Sequence, residues 1–95
     1  MRTEVAISTE VFDILSRNKV GKNTHRLFFY IIGTMDEHFI VHATQDELAK
    51  ALGISRVSVN KASKTLVRLG FIKTCRGMLE VQKQYVSWDM PEDDE

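Results

Sequence analysis

Cysteine is nearly absent from this chain. Cys75 alone among the 95 residues cannot close an internal disulfide, which fits a reducing compartment. Long apolar runs are missing too. The longest, Leu27 to Ile32, has 6 residues, against the roughly 20 that cross a membrane. The opening Met-Arg-Thr-Glu-Val-Ala lacks the apolar stretch of a signal peptide, so a cytoplasmic protein with no membrane partner is expected. There is no glycine-rich phosphate loop, and Ser, His and Asp occur at no recognised catalytic spacing, so no enzyme and no small-molecule ligand or cofactor is expected. His25, His38, His42 and Cys75 raise a metal question, but no paired Cys or His motif supplies a ligand set, and no metal site is expected.

Acid is missing from one stretch, and that absence is informative. The formal net charge is zero, with 13 basic and 13 acidic side chains. Residues 55–77 nevertheless carry Arg56, Lys61, Lys64, Arg68, Lys73 and Arg76 with no acid at all. The acids collect at the far end, where Lys83 stands against Glu80, Asp89, Glu92, Asp93, Asp94 and Glu95. A basic face of this kind suits neutralisation of phosphates, whereas a merely solvated face mixes both signs.

Residues 44–70 hold the clearest local pattern. Thr44 with Glu47 forms a capping box, and Leu48, Ala49 and Leu52 make the apolar stripe of a helix that Gly53 must end. Ser55 caps a second helix, with Val59, Ala62, Leu66 and Leu69 as its core stripe and Gly70 as its stop. Ser58 and Ser63 can face either way. Phe71 to Cys75 and Met78 to Gln82 then read as a β-hairpin turning at Arg76-Gly77. In that hairpin Cys75 is expected half-buried, the alternative being a redox-sensitive thiol beside Arg76.

The remainder is harder to read. Thr3 to Ile7 suggests a short strand, and Ser8 or Thr9 a cap for a helix through Val11, Phe12, Ile14 and Leu15. Val20 to Asn23 reads as a turn, with Asn23 or Thr24 capping a helix of wide apolar face (Leu27, Phe28, Tyr30, Ile31, Ile32, Met35) central to the core. His38 to Ala43 resembles a strand. Pro91 and the acids after it suggest a disordered tail. The expected organisation is one domain over residues 1–88, with an extension at 1–23, a compact unit at 24–86 and an acidic tail at 89–95.

The spacing of Ala49, Gly53 and Val59 resembles the helix-turn-helix family of DNA-binding proteins, and the hairpin directly after the second helix resembles the wing of a winged helix. The implied fold is α+β, a three-helix core with a C-terminal β-hairpin wing and an extra N-terminal strand or helix. Leu27-Phe28-Phe29-Tyr30, Met35-Asp36 and the run from Ala43 to Lys61 look like plasmid replication initiators of the RepL type. The helix-turn-helix is also similar to the C-terminal domain of Crp-family transcription regulators, without that family's nucleotide-binding domain.

The resemblance implies sequence-specific binding of double-stranded DNA, by a transcriptional regulator or by a plasmid or phage replication initiator associated with nucleoid or plasmid. Ser55, Arg56, Val57, Asn60, Lys61 and Lys64 would meet base edges in the major groove. Thr44 and Gln45 would meet phosphate, and Lys73, Arg76 and Gly77 would bring the wing to the backbone or minor groove. Arg68 is either a phosphate contact or half of a surface ion pair. The alternative is a winged-helix module that binds protein. A homodimer is expected, because paired half-sites raise affinity and specificity. Val11, Phe12, Ile14 and Leu15 offer it an interface, unless that helix packs on its own domain.

Overall fold

The computed structural model describes residues 5–88. In chain order these form β1 (Val5–Ile7), α1 (Thr9–Arg17), α2 (Lys22–Thr34), β2 (Ile40–His42), α3 (Gln45–Leu52), α4 (Arg56–Arg68), β3 (Ile72–Cys75), β4 (Met78–Val81) and β5 (Val86–Trp88). The fold is an α+β winged helix-turn-helix: α2, α3 and α4 make the helical core, and β3 with β4 makes the wing. Among the described residues no helix is long and apolar enough to cross a membrane. Thr3, Glu4 and the acidic tail lie outside the described residues.

Each helix buries the face its pattern marks. Ser8 Oγ accepts from the Glu10 amide to start α1, and Val11 and Leu15, one turn apart, are buried. The expected interface helix therefore packs on its own domain, leaving Phe12 as its large exposed apolar residue. In α2, Leu27, Phe28, Ile31 and Ile32 are all buried, with Met35 just beyond, so this helix is the centre of the core. Its cap is not Asn23 or Thr24. The helix begins earlier, on the carbonyl of Gly21, which accepts from the amides of Thr24 and His25, and Thr24 is consumed inside the helix as a buried residue.

The strand expected over His38 to Ala43 is shortened at its start. The Asp36 carboxylate accepts from the amides of Ile40 (3.0 Å) and His38 (2.8 Å), folding the chain into a turn with Phe39 at φ 67°. The Ile40 amide is the main cause holding the Asp36 carboxyl below its ordinary pKa. Strand β2 then pairs antiparallel with β4, which pairs antiparallel with β3, giving the order β2-β4-β3.

A second sheet joins β1 to β5 antiparallel, with Ala6 opposite Ser87. Strand β5 has no signal in the sequence pattern. It is three residues long and its partner lies at the other end of the chain, so only tertiary structure defines it.

Phe71 ties the helices to the wing. It sits at the junction of α4 and β3, fully buried, stacked on Phe28 (centroids 5.0 Å apart) and edge-on to Tyr85 (5.1 Å). Its amide returns to the Leu66 carbonyl at 3.0 Å while the Gly70 amide reaches Val67, the paired bonds that close a helix and aim the next strand. Leu69, expected in the core, packs against it half-buried as the cap of α4. Phe71→Ala should cost about 3–5 kcal/mol in denaturant unfolding followed by the fluorescence of Trp88. A cost under about 1 kcal/mol would show that the stack does not hold the two parts together.

Candidate nucleic-acid interface

The first turns of α3 and α4 lie side by side because the link between them is tight. Gly53 takes the left-handed conformation (φ 70°), a region where a residue with Cβ is strained, and its amide returns to Ala49 at 2.8 Å. The Arg26 guanidinium of α2 donates to the Leu52 carbonyl at 2.6 Å, fastening the end of α3 to the core helix. Both N-termini are built as the sequence implies. Thr44 Oγ1 accepts from the Glu47 amide (3.1 Å) while the Glu47 carboxylate accepts from the Thr44 amide (2.8 Å). Ser55 Oγ accepts from the Ser58 amide at 3.0 Å. Two helix N-termini thus present positive dipole ends on one side of the molecule.

The wing comes to the same side. Its two-residue turn has positive φ on Gly77 alone (62°), and the Gly77 carbonyl accepts from the Ala43 amide at 3.1 Å. That bond continues the β2–β4 ladder, which sets the tip of the hairpin beside Thr44. Val59, Ala62 and Leu66 face inward and are buried, so α4 turns its opposite face to solvent.

Most of the sequence-predicted residues converge. Gln45, Arg56, Val57, Asn60, Lys61 and Lys64 line one shallow depression along α4. Val57 is 64% exposed, a large apolar side chain left in water beside polar and cationic groups. Thr44, Gln45 and Arg56 also line a cleft closed on its other side by Thr74, Cys75 and Gly77 of the wing. Ser55 caps α4 and is exposed next to them.

Lys73 and Arg76 are exposed but line neither hollow. Lys73 stands directly opposite Glu80 in the hairpin register, so its side chain shares a sheet face with an acid that linear sequence places seven residues away. Cys75, expected half-buried, is exposed, because it is the last residue before the turn and the sheet does not cover it. Ser63 resolves inward and is buried.

His25, His38 and His42 do not gather into one site. His25 Nδ1 lies on the Gly21 carbonyl, His38 lies 3.5 Å from Glu37, and His42 lies 3.8 Å from Asp36. His38 belongs to the turn, so it does not share a strand face with His42.

Sequence reasoning missed two residues of this surface. Asp46 lies 3.6 Å from the Arg56 guanidinium, and Thr74 lines both the cleft that holds Arg56 and a second hollow with Asn60 and Lys64. No local signal marks the Asp46 pair. The two residues are ten apart in sequence and meet only because the Gly53 turn folds one helix across the other.

Residues 24–84 match the model of the Crp-like helix-turn-helix domain. A search of curated proteins finds no match. Among solved structures, a CRP/FNR-family transcriptional regulator from Thermus thermophilus is similar, with a TM-score of 0.59 and 23% identity over 78% of this chain. A CRP-family transcriptional regulator from the same organism is similar too, with a TM-score of 0.55 and 24% identity over 66% of this chain. Such identities establish the fold. The chain spans 42% and 36% of the lengths of those regulators.

The capping box is the part of this surface whose strength is simplest to measure. Thr44→Ala removes the acceptor for the Glu47 amide and should lower stability by about 1 kcal/mol in thermal unfolding, with the fold retained. An unchanged midpoint would mean that the Glu47 carboxylate or solvent satisfies that end of α3 unaided.

Proposed function

Because the chain belongs to the Crp-like helix-turn-helix family, we propose that it binds double-stranded DNA sequence-specifically, as a transcriptional regulator. The observation that carries this reading is the depression on α4. Arg56, Asn60, Lys61 and Lys64 share it with Val57 and Gln45, between two helix N-termini and a wing tip, in a stretch without acid. The chemistry of each side chain suits a groove. Arginine pairs bidentately with guanine, asparagine with adenine, and a valine methyl packs on the thymine methyl. Lysines and exposed amides at helix starts take phosphate.

In this reading residues 24–86 are the DNA-binding unit, Thr44 and Gln45 approach the phosphates beside α3, and Arg76 and Gly77 carry the wing to the backbone. Lys73 contributes less than its charge suggests, because Glu80 faces it across the hairpin. The protein acts as a homodimer on paired half-sites, close to nucleoid or plasmid DNA. Residues 1–23 are an extension whose exposed Phe12 is available to a second copy. The initiator reading rests on the RepL-like residues alone, while the family model and both solved regulators favour transcription.

Arg56→Ala and Asn60→Ala should each weaken binding to a selected duplex by about 1–3 kcal/mol and relax preference at one base position. Both residues lie off the buried stripe of α4, so folding should survive. With Lys61, Lys64 and Arg76 as phosphate contacts and Lys73 a partly offset fourth, log K should fall against log salt with a slope no steeper than about −4, or about −7 for a dimer. Parent-like binding by both variants would show that α4 does not read bases. A slope near zero would sink DNA binding and favour a protein-interaction module.

A further inference from the structure

The side chains best suited to read bases do not stand alone on α4; each lies beside a polar side chain of the first turn of α3. Arg56 Nη1 lies 3.6 Å from Asp46 Oδ1, and Asn60 Nδ2 lies 3.5 Å from Gln45 Oε1. Asp46 is the unusual member. Beside the cap's own Glu47, it places a second carboxylate at the edge of a surface built largely to attract anions, and its side chain is 69% exposed. The Thr44–Glu47 box forms without it, and as one of two acids in the first turn of α3 it gains only the weak attraction of the helix dipole. Stability does not require it either, because an ion pair this exposed contributes little to folding. Its geometry is directed at Arg56.

We propose that Asp46 is a positioning residue that sets the specificity of Arg56: its carboxylate holds one edge of the guanidinium and presents the remaining donors to a guanine. This rests on the DNA-binding reading above. A guanidinium has five N–H donors in a planar fork, and a bidentate guanine contact uses two of them. An aspartate beside Nη1 leaves enough for the base while biasing the guanidinium against swinging away. Without it, Arg56 on its flexible stem can turn to any nearby phosphate, which every sequence supplies. The carboxylate also repels those phosphates, and docking expels water and so strengthens both effects. Random DNA therefore loses more from Asp46 than a site carrying the right guanine does. The Gln45–Asn60 contact restrains the second reading side chain in the same manner one turn along α4.

The test compares the full chain with Asp46→Asn, Arg56→Ala and the double variant, on random duplex and on duplex selected by the parent, at one fixed low salt concentration. Asp46→Asn should bind random duplex several-fold more tightly, and the ratio of selected to random affinity should fall about tenfold. In selection from a random pool, the guanine preference that disappears in Arg56→Ala should also relax in Asp46→Asn. Adding Asp46→Asn to Arg56→Ala should cost no further preference. Thermal unfolding should shift only slightly, since Asp46→Asn removes one of two acids from the first turn of α3. The Arg56-dependent loss of guanine preference separates positioning from that structural role. The proposal is overturned if Asp46→Asn keeps the parent's guanine preference, even with higher affinity for all DNA, because that result reflects only a lost negative charge. A parent chain without salt-dependent affinity for any duplex would fail at the earlier step, DNA binding itself.

Discussion

The stack of Phe28 on Phe71 is the contact on which the rest of the geometry depends. Phe28 belongs to the central helix α2, and Phe71 lies at the end of the turn that follows α4. Locking them together fixes the direction in which the chain leaves α4 and hence the angle of the wing. The Phe71 carbonyl also accepts from the Gln82 amide at 2.9 Å, so the same residue fastens the base of the hairpin on both strands. The other end of the wing is set by the pairing of β2 with β4, which the Gly77 to Ala43 bond extends. Between those two anchors the hairpin has little freedom, and its tip stays beside the first turns of α3 and α4. A surface made of three separate segments keeps one shape because a buried aromatic pair sits behind it.

The electrostatics of that surface depend on where charges lie, not on their sum. A chain of zero formal net charge presents a cationic side because residues 55–77 contain no acid and the fold directs their cations outward. Helix N-termini add fixed positive ends at Thr44 and Ser55. Glu47 is spent on the Thr44 amide in the cap of α3, and two further acids meet cations: Asp46 beside Arg56, and Glu80 across from Lys73. Each moderates one cation, concentrating the attractive field along α4 and at the wing tip.

The sequence was most legible where structure is decided within a few residues. The Thr44–Glu47 box, the Ser55 cap, the Gly53 turn, the inward stripe of α4 as far as Leu66 and the Arg76-Gly77 hairpin turn all depend on short-range geometry, and all stand where their residues place them. It was least legible where partners come from far away. Strand β5 exists through β1, Asp46 matters through Arg56, and Lys73 is offset by Glu80. The start of α2 fell between these cases. Asn23 and Thr24 are good capping residues, yet the helix is capped at Gly21 and Thr24 is buried within it.

Base reading by α4, with α3 and the wing fixing its position, is tested most directly by an amide-resolved NMR titration of the full chain with a selected duplex. Shift changes should concentrate at residues 44–46, 55–64 and 74–77 and leave the β1–β5 sheet undisturbed. Changes centred on α1 and the β1–β5 sheet, with the start of α4 unmoved, would contradict it.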